Sequence, residues 1–278
     1  MKLLKEIHAP TSLEDITHKC KAKWFTWSDD LLSFQDQIEK EFQKYGQPEI
    51  LPFFGMAKAE SYNVDLQRIN GVFSKKISEF STYLTKIKIK EEVHFFDNLI
   101  CDGFSSDTFR FFFSCLRASL STRRSDGMAS LYIPIGEVKG SNEFPVHSDL
   151  YIPTYLWNIF DEILVGDNGC PLLLPVDVLL NKVIKEIKNF PDDKYEYIKS
   201  VFHERVLYNE DKYMELISLL HGKENWWYEE MKEKINKYVF KIKFGRGQGY
   251  LINDRKWLHG RSFSTEGVTS KRLHRLVF

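Results

Sequence analysis

Apolar positions at Leu31, Phe34, Ile38, Phe42 and Tyr45 recur at steps of three and four residues. The spacing predicts an amphipathic helix that begins after Ser28 and the acidic pair Asp29 and Asp30 and stops at Gly46. A second helix is expected from Ser106, carrying Phe109, Phe112, Phe113 and Leu116. Between Met128 and Leu156 the pattern changes to short β-branched and aromatic runs, "MASLYIPIG" and "EFPVHSDLYIP", parted by the turn-like "EVKGSN", which read as strands. From Val176 to Tyr238 helical periodicity returns, with Val176, Leu180, Val183, Ile184 and Ile187 on one face. The end is strand-like again: "YVFKIKF", the turn "GRGQG", "YLIND" and "KRLHRLVF".

No repeat, low-complexity tract or Gly/Ser/Pro-rich linker divides the chain, so a single domain over residues 1–278 is expected. Its parts are a mixed helical support (1–127), barrel strands (128–175 and 238–278) and a helical insertion placed to act as a lid (176–237). Strands, an insertion and then more strands suggest an antiparallel sheet with helices outside it, a mainly β fold, because a parallel βαβ array alternates more regularly.

Composition narrows the function classes. Lysine plus arginine (39) balance aspartate plus glutamate (39), so no net field draws the whole molecule to nucleic acid or an anionic membrane. The four cysteines form no Cys-x-x-Cys pair, which argues against a zinc ribbon or a disulfide scaffold and for a reduced setting. No apolar run reaches the length of a membrane span, and a cytoplasmic protein is expected.

Against that ordinary background "PVHSDLYIP" stands out. Residues two apart in a strand share a face, so His147 and Asp149 project together. His-x-Asp alone is weak, since a core histidine paired with an aspartate gives the same letters. A second piece, "GQGYLINDRKWLHGRSF", ends another strand-like run at His259, followed by Gly260 and Arg261. Two histidines and one carboxylate make a facial set with open positions that suits non-haem Fe(II) and O2. A third piece is Arg272, thirteen residues beyond His259, whose fork-shaped guanidinium suits the far carboxylate of a dicarboxylic acid.

With these residues the chain resembles the Fe(II)/2-oxoglutarate-dependent dioxygenases, nearest the branch of taurine dioxygenase, clavaminate synthase and γ-butyrobetaine hydroxylase. The branch sets its second metal histidine in Asp-Asn-x-Arg-x-x-x-His-Gly/Ala-Arg. Here Asn253-Asp254-Arg255-Lys256-Trp257-Leu258-His259-Gly260-Arg261 exchanges the Asn and Asp and is one residue shorter. The resemblance covers residues 145–151 and 247–275 and implies a double-stranded β-helix, or jelly roll. It implies Fe(II) on His147, Asp149 and His259, and 2-oxoglutarate as cosubstrate with its 5-carboxylate on Arg272. The family threonine that assists the cosubstrate has no counterpart in "DNGCPLLLP", leaving Ser130 or Tyr132 for that role, with Arg261 a further cosubstrate contact. Strand alternation turns Arg272 and His274 to the pocket and Arg275 away unless a bulge intervenes; His274, Arg275, Tyr151 and Arg117 are the substrate-contact candidates. What the family implies is hydroxylation of an unactivated C–H bond of a small molecule, an amino acid or biosynthetic intermediate, with release of succinate and CO2. Related halogenases lack the carboxylate that Asp149 supplies, which favours hydroxylation here.

Other conspicuous stretches have plainer readings. His203-Glu204 is followed by Leu207 where a zinc peptidase has histidine, so it reads as a solvated helix face. "GRGQG" sits between strands and reads as a hairpin turn rather than a phosphate loop, and Trp226, Trp227 and Tyr228 read mostly as packing. His8, His18, His94 and His221 receive no role. The alternative from another class is a cupin-like metal- or ligand-binding protein without turnover.

Overall fold

The computed structural model describes residues 4–28, 32–52, 60–87, 93–100, 104–121, 130–135, 144–149, 155–161, 169–203, 210–262 and 273–278. Along these run β1 (Leu4–Ile7), α1 (Glu14–Cys20), β2 (Lys23–Trp27), α2 (Leu32–Tyr45), β3 (Glu49–Pro52), β4 (Glu60–Asn63), α3 (Gly71–Ile87), β5 (His94–Phe96) and α4 (Ser106–Ser121). Then come β6 (Leu131–Ile135), β7 (Phe144–His147), β8 (Tyr155–Phe160), β9 (Pro171–Pro175), α5 (Val176–Val178), α6 (Asp192–His203), α7 (Glu210–His221) and α8 (Tyr228–Tyr238). The chain closes with β10 (Phe240–Lys241), β11 (Gly249–Asn253), β12 (Trp257–Arg261) and β13 (Leu273–Val277).

The helix expected up to Gly46 ends there, with Gly46 at φ +86°, the left-handed conformation that closes a helix without a Cβ penalty. The fold is mixed rather than mainly β: helical residues outnumber strand residues, because both the first third and the stretch after β9 build helices. No described helix is long and apolar enough to cross a membrane.

A seven-stranded sheet has the order β1-β2-β5-β11-β8-β13-β6, a four-stranded sheet the order β10-β9-β12-β7, and β3 and β4 pair alone. The described pairings are antiparallel except β2 with β5. From β6 onward the chain passes back and forth between the two larger sheets: β6, β8, β11 and β13 go to one, and β7, β9, β10 and β12 to the other. "GRGQG" is therefore no hairpin. It carries the chain from β10 in one sheet to β11 in the other, with Gly247 at φ +74° against the Ile100 backbone, where a Cβ would lie 2.8 Å from the carbonyl oxygen.

Three apolar layers follow from this crossing. Between the sheets lie Leu156, Phe160, Leu173, Tyr250, Ile252, Trp257 and Val277. The opposite face of the seven-stranded sheet, with Tyr132, Trp157, Ile159, Leu251 and Leu276, is covered by α2, α3 and α4. Helix α4 buries Phe109, Phe111, Phe112 and Phe113 around its whole circumference, as a helix enclosed by neighbours does. Each such ring contributes on the order of 1.5–3 kcal/mol on burial. The outer face of the four-stranded sheet, with Val146, Leu172, Leu174 and Leu258, is sealed by residues of α5–α8 such as Leu216 and Met231 and by Trp227 just before α8. Trp227 donates its indole N–H to the Leu219 carbonyl, whereas Trp226 is 61% exposed.

Candidate metal centre

The centre forms where β7 and β12 meet. His147, the last residue of β7, lies directly opposite His259 in the ladder, and their ring centroids are 4.4 Å apart. Both turn to the space between the sheets, since Val146 and Leu258 take the outer face. Asp149, two residues past β7, reaches back: its Oδ1 is 3.3 Å from His147 Nε2 and its Oδ2 is 3.5 Å from His259 Nε2. The three side chains are buried, and their ligand atoms lie within 4.8 Å of one another, the one such group among the described residues.

Electrostatics hold these donors ready for a cation. Burial alone would raise the Asp149 carboxyl, but the His259 charge, hydrogen bonds from His147 and His259, and Arg275 hold it well below the usual range. Burial pushes the His259 imidazole down, and Asp149 and Asp254 outweigh it, raising it to about 9. A proton on His259 thus stands where a metal would be shared. His147 Nδ1 lies 2.9 Å from the Pro145 carbonyl oxygen, and Nε2 faces Asp149; a metal bound at Nε2 would take the place of the proton shared there and leave Nδ1–H to donate to that carbonyl. Two imidazole nitrogens and a carboxylate oxygen, all buried and converging, fit Fe(II) or a similar divalent ion.

Arg275 corrects the expected register of the last strand. Strand β13 pairs with β6 and β8 without a bulge, and the residue it turns inward is Arg275. Its Nε donates to Asn158 Oδ1 at 3.1 Å, and an Nη atom lies 3.4 Å from Asp149 Oδ2. Tyr250, Asn158 and Arg275 are successive partners across β11, β8 and β13, a polar row on the inner face. Burial raises the Tyr250 hydroxyl to about 12, so it stays protonated as a donor.

His274, expected in the pocket, turns the other way. Its ring is buried among Phe109, Phe113 and Tyr132, with Nδ1 2.7 Å from the Tyr132 hydroxyl and Nε2 3.6 Å from Asp161. Tyr132 lies in the same outer layer, because alternation along β6 sends Leu131 inward. Ser130 meets α4 instead of the centre: its N–H donates to Ser121 Oγ and its carbonyl accepts from Arg117 Nε. Arg117 also donates to Asn63, which fixes it as a brace between α4, β4 and β6 rather than a substrate contact. Arg261, two residues beyond His259 on β12, is half-buried, and burial lowers its guanidinium. Arg272 and Tyr151 lie outside the described residues.

Three contacts of the centre went unread. Asp254 Oδ1 lies 3.3 Å from His259 Nε2, and the Ser148 hydroxyl donates to Asp254 Oδ2 at 2.8 Å. His221 of α7 has Nε2 2.7 Å from the Val146 carbonyl oxygen, next to His147. The exchanged Asn253-Asp254 order was the visible signal for the first; a lone histidine in a helix gave none for the last.

No family model and no curated protein matches this sequence. Among solved structures the chain is similar to asparagine oxygenase in complex with Fe(II), 2S,3S-3-hydroxyasparagine and succinate, at 10% identity and a TM-score of 0.48, covering 91% of this chain and 92% of that one. It is also similar to the non-heme iron oxygenase OrfP in complex with Fe, succinate and (3S)-hydroxy-L-Arg, at 12% identity and a TM-score of 0.45, covering 91% and 93%. A third is PvcB from Pseudomonas aeruginosa, at 11% identity and a TM-score of 0.39, covering 72% and 80%. At these values none transfers a residue's role to this chain.

Proposed function

We propose that this chain is a non-haem Fe(II)- and 2-oxoglutarate-dependent oxygenase that hydroxylates a small molecule. The observation that carries the reading is the buried His147–Asp149–His259 set, three donors of the types that bind Fe(II), with a guanidinium beside it. The strand orders support a double-stranded β-helix, because eight strands from β6 onward divide between two facing sheets as β6-β13-β8-β11 and β7-β12-β9-β10.

His147, Asp149 and His259 would hold the metal, and Arg275 would receive the distal carboxylate of the cosubstrate. When bound, Fe(II) and 2-oxoglutarate would supply, with O2 as the oxidant, oxidative decarboxylation to succinate and CO2 coupled to hydroxylation of a C–H bond, one oxygen atom going to succinate and the other to the product hydroxyl. The protein's part is placement. Asn158 fixes the Arg275 fork, and Tyr250 on the adjoining strand offers a neutral hydroxyl to the same space. Leu156, Ile252 and Val277 keep water from it. The helices over residues 176–237 serve in this reading as a buttress behind the ligand strands rather than a lid, since their apolar faces are spent on the outer side of the four-stranded sheet.

Succinate formation from 2-oxoglutarate, with added Fe(II) and ascorbate and a panel of free amino acids, tests the reading. The panel includes asparagine and arginine, whose hydroxylated forms are bound in two of the similar structures. Turnover that rises with one panel member supports it. A protein that binds metal but makes no succinate, alone or with any member, is instead a binding protein.

A further inference from the structure

The ladder between β7 and β12 is short and irregular: it joins His147 to His259 and residue 144 to Arg261, with a register shift between them. It stops at His147, yet Asp149, two residues on, must meet both histidines. Just there, between the two ligands, the Ser148 hydroxyl donates to Asp254 Oδ2 at 2.8 Å, with Ser148 fully buried and Asp254 2% exposed. Asp254 occupies the turn joining β11 to β12, five residues before His259.

That turn is itself held on several sides. The Asn253 side chain accepts from the Arg255 N–H at 2.9 Å, and the Lys256 N–H donates to the Asn253 carbonyl at 2.9 Å. An Nη atom of Arg255 donates to the Val201 carbonyl of α6 at 2.9 Å, and the Lys256 carbonyl accepts from the Val176 N–H at 2.8 Å. A buried hydroxyl tied to so fixed an acceptor costs little further entropy, and it constrains the backbone that carries its two neighbours.

We propose that Ser148 and Asp254 are positioning residues of the metal centre, a side-chain clasp that continues the β7–β12 ladder past its end and sets Asp149 against His147 and His259. The inference rests on the proposed function only in that the three ligands bind a divalent metal. Ser148 serves none of its neighbours' chemistry; it fixes where their ligand atoms stand.

The test is Co(II) binding by calorimetry, with the visible absorption spectrum of the Co(II)-loaded protein, for wild type, Ser148→Ala, Asp254→Ala and the double variant, the fold being checked by circular dichroism. Ser148→Ala is expected to weaken Co(II) binding by about 10–100-fold, the usual reach of groups that orient metal ligands, and to alter the spectrum. In the Asp254→Ala background the same change should have no further effect, because the clasp is already gone. Asp254→Asn keeps an oxygen for Ser148 while removing the charge beside His259, so Ser148→Ala should still alter the spectrum in that background. Wild-type affinity and spectrum in Ser148→Ala, or an equal effect of Ser148→Ala with and without Asp254, overturns the clasp. Failure of the wild type to bind Co(II) overturns the metal centre instead, so the two failures are distinct. Should Asp254→Ala not fold, Ser148→Ala against Asp254→Asn decides by the spectrum alone.

Discussion

Arg275 and Asp149 face each other across the space between the two sheets, with the guanidinium 3.4 Å from Asp149 Oδ2. The pair puts a permanent positive charge beside the candidate metal ligands, on an arginine 16% exposed at its side chain. A dicarboxylate chelating a metal there would find a fork for its far end. Arg275→Leu is therefore expected to weaken 2-oxoglutarate binding by about 2–5 kcal/mol while metal binding persists. Arg275→Lys should recover only part, since an ammonium cannot pair bidentately. Calorimetry of 2-oxoglutarate into the Co(II)-loaded variants checks this, and undiminished affinity in Arg275→Leu moves the anchor elsewhere.

Metal loading should depend on pH with a definite sign. His259 in the metal-free protein is raised to about 9, so near neutrality it carries a proton that the metal must displace. Affinity should rise about tenfold per pH unit for one displaced proton and level off near the raised value. The metal-free fold responds oppositely. A raised folded-state value gives stability that is whole below the unfolded histidine value and is lost as pH climbs through about 9. Metal titrations at several pH values, with thermal melts of the metal-free protein alongside, test both signs; metal affinity flat with pH would contradict the first, and metal-free stability that does not fall through about pH 9 the second.

Phe113 ties the helical layer to the seven-stranded sheet, its ring 4.9 Å from Trp157, 5.5 Å from Tyr132 and 4.6 Å from Phe109 by centroids. Phe113→Ala removes a fully buried ring from among large neighbours and should cost about 3–5 kcal/mol. Denaturant unfolding measures it. A loss under about 1 kcal/mol would mean that the neighbours collapse into the space.

The helices behind the four-stranded sheet should not respond to ligands if they are a buttress. Amide hydrogen exchange in α7 and α8 is expected to be slow and equal with and without metal and 2-oxoglutarate. Protection that appears only with both present would make them a closing element.

The candidate ligands were legible in the sequence because a histidine follows the apolar Val146 in one strand-like run and Trp257 and Leu258 in another, with Asp149 two residues beyond the first. The inward face of β13 was not. Leu276 and Val277 are both buried, one against the helices and one between the sheets, so apolar alternation carries no information about which face is which. Arg275 and His274 could be ordered only by the fold. The same holds for Tyr132, a residue equally at home on either side of a covered sheet. The strands β1, β2 and β5 escaped notice because they are three to five residues long and extend the sheet at its far edge. The clasp of Ser148 on Asp254 joins residues 106 apart, a distance across which local pattern is silent.

The centre itself is tested most directly by anaerobic Fe(II) titration of the wild type and of His147→Ala, Asp149→Ala and His259→Ala, each confirmed as folded. One equivalent of Fe(II) should bind the wild type, with a visible absorption band appearing when 2-oxoglutarate is added, and each variant should lose tight binding and the band together. A variant that binds Fe(II) and develops the band as the wild type does would contradict the assignment of that residue to the metal, and a wild type that takes up no Fe(II) would contradict the whole centre.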